Sequence, residues 1–285
     1  MTNPLMTQIS IKRFSNLISS ELFSTMKIPF FRVEISDEEI AEVGDSLRSG
    51  WLTTGPKVKQ FERDFAGRLG VKHAVALNSC TAALHLALEA IGLQRGDLVI
   101  VPTMTFAATA EVVRYFDAIP VFVDCGRDFN IDPQKLKQTL DSINRGRPLP
   151  GIGTDYRGGK IRAVIPMHYG GYCCDMGEIS DSAAEYGIPI VEDSAHAFPA
   201  AYREKAGAEW QKAGTFGAVG CFSFYANKCI TTGEGGMAVT DDDRLAERMR
   251  RMSLHGMNRD AWRRYLDKNS WYYEIVAPGY KYNMT

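Results

Sequence analysis

"HAVALNSCTAALHLALEAIG", residues 73–92, is the stretch whose reading decides the fold. Its opening, HAVALN (73–78), reads as a buried strand. TAALHLALEAIG (81–92), rich in Ala and Leu and closed by Gly92, reads as the helix that follows. Downstream the alternation recurs. DLVIVP (97–102) is a strand, FAATAEVVRYFDA (106–118) a helix, IPVFVDC (119–125) a strand, and DPQKLKQTL (132–140) a helix with Pro at its start. A stretch rich in Gly, Arg and Pro at 144–160 is expected to be an exposed loop. RAVIPMH (162–168), DMGEISDSAAEYG (175–187) and IPIVED (188–193) then repeat strand, helix, strand. GAVGCFSFYA (217–226) supplies further strand and RLAERMRRM (244–252) a charged helix. Strands apolar on both faces and separated by helices predict an α/β fold, a mainly parallel sheet flanked by helices on both faces with right-handed crossovers.

Composition narrows the class. The chain has 285 residues, 45% hydrophobic and 24% charged, as in an ordinary globular protein. A net charge of −1 gives no electrostatic case for nucleic acid or an anionic membrane as partner. No apolar run approaches the ~20 residues that span a bilayer. The six cysteines form no C-x-x-C pair, and most lie in apolar stretches, the pattern of reduced core thiols in a cytoplasmic protein. The five histidines are scattered, so no metal site is expected. Residues 1–26, rich in Ser, Thr and Asn, read as a disordered extension without the features of a secretory signal, and Met26-Lys27-Ile28-Pro29-Phe30 reads as a natural start. Residues 27–251 read as one large domain, and 252–285 as a linker or hairpin.

In such sheets ligands collect beyond the carboxyl ends of the strands, where four features fall. In NSCTAALHLAL (78–88), a helix start with the hydroxyls of Ser79 and Thr81 suits a phosphate, although capping by Ser79 alone is the commoner meaning. Asp193 ends an apolar strand, where a carboxylate needs a partner: a pyridinium N–H, or a helix cap or salt bridge. Lys228 follows an apolar strand and precedes a Gly-rich turn. Desolvated, it can form a Schiff base; otherwise it is a surface lysine. Phe106 stands at a strand-to-helix junction, able to stack on a flat ring or to fill the core. Each has a commoner structural meaning when taken singly. Together they match what pyridoxal 5'-phosphate requires: a phosphate cradle, a ring platform, an anion at the ring nitrogen and an amine for the aldehyde.

With these stretches in hand, the sequence resembles the DegT/DnrJ/EryC1/StrS family of pyridoxal-phosphate-dependent sugar aminotransferases, within the type I aspartate aminotransferase fold. The resemblance runs from about Lys27 to Thr285. Besides NSCTAALHLAL it rests on SGWLTTGPKVKQFE (49–62), PTMTFAATA (102–110), PMHYGGYCCDM (166–176), VEDSAHA (191–197), SFYANKCITTGEGGM (223–237) and GYKYNMT (279–285). It implies that Lys228 holds the cofactor's aldehyde, that Asp193 pairs with the ring nitrogen and that His196 sits near the ring hydroxyl. It further implies that Phe106 lies on the ring face and that Cys80, Thr81 and Ser223 hold the phosphate. Thr53 and Thr54 would approach the sugar. Lys281 stands where the family usually has an Asn that reaches the cofactor phosphate of the neighbouring subunit. Members run on past this point into a small C-terminal domain, which this chain is expected to lack.

The activity so implied is transfer of an amino group, from L-glutamate, to a keto group on a nucleotide-linked sugar. The product would be an amino sugar for polysaccharide or secondary-metabolite biosynthesis, made by a cytoplasmic homodimer. Two alternatives stand beside it. One is a sugar dehydratase on the same fold, whose members carry His in place of the lysine. The other is a catalytically inactive truncated fragment.

Overall fold

The computed structural model describes residues 29–147, 159–258 and 273–285. Two compact units divide the chain at Ser36. The described part of the first, 29–36, has no regular secondary structure; the rings of Phe30 and Phe31 meet edge to face with centroids 6.2 Å apart.

The second unit begins with helices α1 (Asp37–Ser49) and α2 (Pro56–Leu69), followed by β1 (His73–Leu77) and α3 (Cys80–Ala90). Then come β2 (Leu98–Pro102), α4 (Ala107–Arg114), β3 (Ile119–Val123), α5 (Pro133–Asn144), β4 (Ile161–Val164), α6 (Met176–Glu185) and β5 (Val191–Asp193). A short hairpin, β6 (Ala201–Tyr202) and β7 (Gln211–Lys212), precedes β8 (Val219–Ser223), β9 (Gly236–Thr240) and α7 (Asp243–Met252). Strands order as β3-β2-β4 and β5-β8-β9-β1. Parallel bridges from Val164 to Ile190 and from Met167 to Asp193 join the two ladders into one sheet. Among the described strand pairings of this sheet every one is parallel except those of β9, which runs against β8 and β1; the separate β6–β7 hairpin is antiparallel.

Both faces of this sheet are covered, as the apolar strands require. Alternate residues turn to opposite sides. Val99 and Val101 of β2 pack with Leu84 and Leu88 of α3, Val112 of α4 and Met249 of α7. Leu98 and Ile100 pack instead with Leu136 and Leu140 of α5 and Ile179 of α6. Phe65 of α2 meets Phe222 and Phe224 at centroid distances of 5.1 and 5.4 Å. Side chains of this size each contribute roughly 1.5–3 kcal/mol when fully buried.

The expected helix over 106–118 is shorter than read: it ends at Arg114, because the chain turns through a left-handed Asp117 (φ 54°) before β3. The loop expected at 144–160 and the extension at 1–26 fall largely or wholly outside the described residues. Residues 281–283 lie along β1: Asn283 bridges Leu77, and the Asn78 N–H donates to the Tyr282 carbonyl at 2.8 Å. Tyr280 and Tyr282 stack at 5.1 Å and, with Tyr115 and Phe116, enclose His85, whose imidazole burial pulls down to about 4.

Candidate active site

Where β1 gives way to α3, the backbone has hydrogen-bonding capacity to spare. Ser79 caps the helix, its hydroxyl accepting the Ala82 N–H at 3.0 Å, and the Ser79 carbonyl takes the Ala83 N–H. The N–H groups of Cys80 and Thr81 belong to the first turn and have no helical partner to bond. β9 runs directly behind this turn. A Cβ on Gly236 would lie 2.3 Å from the carbonyl carbon of Ser79, so only glycine fits. Gly236 in turn pairs with Ser223, the last residue of β8. The Ser223 hydroxyl accepts the Tyr225 N–H at 3.3 Å. Sheet register thus brings Cys80, Thr81 and Ser223 to one corner.

Asp193 ends β5 and is 4% exposed. One oxygen accepts the Thr109 hydroxyl at 2.7 Å and the other the Ala195 N–H at 3.2 Å. Burial pushes its carboxyl above the ordinary range; Thr109, Ala195 and the nearby His168 and His196 oppose that push. Lys228 lies in the loop between β8 and β9, its N–H closing a turn to the Tyr225 carbonyl at 3.0 Å. Its amine is pulled below the lysine value by burial, against the influence of Cys80 and Asp193. The Cys80 thiol is driven up by burial and then by the charge of Asp193. His196, at the exposed rim, is lowered by loss of solvent and by the charge on Lys228. Lys228, Asp193, Cys80 and His196 therefore form one mutually perturbing group, of the kind expected at a reaction centre.

Phe106 occupies the residue before α4, with 77% of its surface exposed, on the helix whose Thr109 binds Asp193. The remaining expected residues do not join this group through a described contact. Thr54 donates its hydroxyl to the Met284 carbonyl at 2.6 Å and accepts the Asn283 amide at 2.9 Å, while Thr53 is exposed. Lys281 directs its ammonium to Asn283, and its carbonyl accepts the Asn78 amide at 3.3 Å. A cavity of about 330 Å³ lies elsewhere, between α2, β1 and α7, lined among others by Thr54, Glu62 and Arg250. Its charges pair with one another, Arg250 donating to both Glu62 oxygens.

Three residues around the site were not singled out from the sequence. Thr109 is one. The others are Glu192 and His168, both fully buried. Glu192 accepts N–H groups from Gly214, Phe216 and Gly217 at 2.6–2.8 Å and bonds His168 at 3.1 Å. His168 Nδ1 accepts the Cys174 N–H at 3.1 Å, so its Nε2 carries the proton given to Glu192. The signal for Glu192 was available: a second carboxylate in VED must point away from Asp193 and needs its own donors.

Comparison with known proteins adds an independent line. Residues 33–285 match the DegT/DnrJ/EryC1/StrS aminotransferase family. The spore coat polysaccharide biosynthesis protein SpsC of Bacillus subtilis is 45% identical over 258 residues, which are 90% of this chain and 60% of that protein. Among solved structures, the putative sugar aminotransferase Spr1654 from Streptococcus pneumoniae in its PMP form superposes with a TM-score of 0.76 at 35% identity, covering 91% of this chain and 64% of that one. PseC of Helicobacter pylori, an aminotransferase involved in the biosynthesis of pseudoaminic acid, gives 0.74 at 27% identity, over 91% and 62%. The chain thus spans somewhat under two thirds of the length of these relatives.

Proposed function

This chain belongs to the DegT/DnrJ/EryC1/StrS aminotransferase family, and from that premise we propose that it forms the pyridoxal-phosphate-binding part of an enzyme that moves an amino group from L-glutamate to the keto group of a nucleotide-linked sugar. The observation that carries the reading is the buried Asp193 carboxylate, whose two described donors are neutral, at the carboxyl end of β5, paired in parallel with the β8 strand that leads into the Lys228 loop and beside an open helix start.

The residues fit the cofactor group by group. The N–H groups of Cys80 and Thr81, the helix dipole and the hydroxyls of Thr81 and Ser223 suit a phosphate monoester. Among the described residues Asp193 has two neutral donors and no hydrogen-bonded cation, so a ring N–H⁺ would complete it. The exposed Phe106 ring gains by being covered with a flat aromatic, and His196 stands at the rim for the ring hydroxyl. When bound, pyridoxal phosphate supplies an aldehyde that condenses with amines and a protonated ring that accepts an electron pair.

Lys228 has two tasks in this reading. Its amine, uncharged more often than an ordinary lysine's, would hold the cofactor's aldehyde by condensation with loss of water. Once free of that bond, the amine would take the proton from the donor's α-carbon and pass it on as general base and acid. Asp193 would hold its charge against the ring nitrogen meanwhile. The keto sugar then enters and Lys228 returns the proton in the opposite sense, so the kinetics are ping-pong. Thr54 is held by Met284 and Asn283, which leaves the exposed Thr53 as the hydroxyl for the sugar; Lys281, whose ammonium bonds Asn283 here, would exchange that contact for a phosphate of a neighbouring subunit. A cytoplasmic homodimer completes the proposal, and the six unpaired cysteines support a reducing setting.

The test is chemical. Protein incubated with pyridoxal phosphate and then reduced with borohydride should carry the phosphopyridoxyl mass on Lys228. A label elsewhere, or none, overturns the reading. Glutamate and a panel of keto sugar nucleotides should then give 2-oxoglutarate and an amino sugar; a dehydrated sugar without nitrogen would select the dehydratase alternative.

A further inference from the structure

We infer that Thr109, backed by Thr105, is a positioning residue that fixes the Asp193 carboxylate and holds it in its charged form; the use made of that charge in amino transfer rests on the function proposed above.

Thr109 sits in the first turn of α4 with none of its surface exposed. A helical threonine ordinarily returns its hydroxyl to the carbonyl four residues back. Here it does otherwise: Thr109 Oγ1 lies 2.7 Å from Asp193 Oδ2 and 2.6 Å from the hydroxyl of Thr105. Those two contacts assign every proton. A charged carboxylate only accepts, so Thr109 must donate to it; Thr109 then accepts, so Thr105 must donate to Thr109. Protonating Asp193 on that oxygen would reverse both bonds. The chain therefore distinguishes the two states of one carboxyl, and hydrogen bonds so linked reinforce each other.

Other groups facing Asp193 do not replace this contact. His168 gives its ring proton to Glu192. His196, from the loop after β5, and Lys228, from the loop after β8, act on the site through charge, as does Cys80 at the start of α3; Cys221 of β8 is a buried thiol. The shorter of the two described donors to the carboxylate is the Thr109 hydroxyl, at 2.7 against 3.2 Å.

The experiment uses protein with ¹³C-labelled aspartate, free of cofactor, with the Asp193 carboxyl signal assigned by its loss in Asp193→Asn. Thr109→Val keeps the shape and removes the donor; the Asp193 titration midpoint should move up. Thr109→Ser, which restores a hydroxyl, should leave it in place, and Thr105→Val should move it less than Thr109→Val. In the loaded enzyme, Thr109→Val should lower kcat about tenfold with little change in KM for the donor, as loss of one charge-assisted hydrogen bond predicts. An unmoved midpoint in Thr109→Val, or one moved as far by Thr109→Ser, overturns the inference. If Thr109→Val does not fold, the Thr109→Ser and Thr105→Val titrations decide it alone. A moved midpoint without cofactor trapping on Lys228 upholds the relay and sinks the proposed function; trapping with an unmoved midpoint does the reverse.

Discussion

Glu192 and Asp193 are consecutive residues of one strand, both buried, both carboxylates, and they turn to opposite faces of the sheet. Behind the sheet, Glu192 has three backbone N–H groups and the proton of His168. In front, Asp193 has a hydroxyl and one N–H, with no hydrogen-bonded cation among the described residues, and faces the amine-bearing loop of Lys228. A buried charge met on every side by the protein's own donors holds the loop 214–217 in place. One met on some sides has capacity left for something the chain does not contain. Completeness of hydrogen bonding separates the two residues, where burial and residue type do not.

That contrast can be broken most forcefully at the amine. Lys228→Ala should abolish borohydride trapping and lower transamination by at least about 10⁴-fold, since it removes what the proposed reaction uses as both nucleophile and proton carrier. Retained turnover would show that the open side of β5 is not a reaction centre. Glu192→Gln should cost about 3–5 kcal/mol of stability, because an amide N–H₂ is set among donors and His168 loses its charged acceptor. Chemical denaturation measures this, and an unchanged midpoint would erase the distinction.

Asp193→Asn should act in the opposite sense. Activity falls about 10²–10³-fold, while the cofactor-free fold is not weakened. The sign follows from its ionisation. Burial raises this carboxyl above 3.8, so the folded protein holds the proton more tightly than the unfolded chain. Its contribution to stability is present below that value and is lost as pH rises through the folded one. The variant escapes that loss, and its melting temperature should gain on the wild type toward neutral pH. The smallest effect repeats the contrast between two hydroxyls. Thr54→Ala should cost about 1 kcal/mol, through its bonds to Met284 and Asn283. Thr53→Ala should change stability by less than about 0.5 kcal/mol.

Much of this was legible before any coordinate. Apolar strands spaced by helices fix a mainly parallel α/β sheet, since a two-sided apolar strand must be covered twice, and the packing of Val99 and Ile100 into opposite cores follows. The reversed strand β9 was missed, because MAVT is as apolar as its parallel neighbours and direction depends on the length of the preceding turn. The helices at 37–49 and 56–69 were also left unread. At the site, Asp193 and Lys228 stood out as charged residues closing apolar runs. Thr109 did not: FAATA is ordinary helix sequence, and its meaning arises from a contact 84 residues away. The engagement of Thr54 by residues 283–284 is equally non-local.

Gly236 carries a lesson for anyone ranking positions by tolerance. It supplies no reacting atom, yet any side chain there would drive into the carbonyl carbon of Ser79 and displace the turn behind which β9 runs. A saturation scan would score it beside Lys228 as indispensable. Chemical rescue separates the two: an added small amine can stand in for a missing lysine side chain, whereas no additive can stand in for empty space.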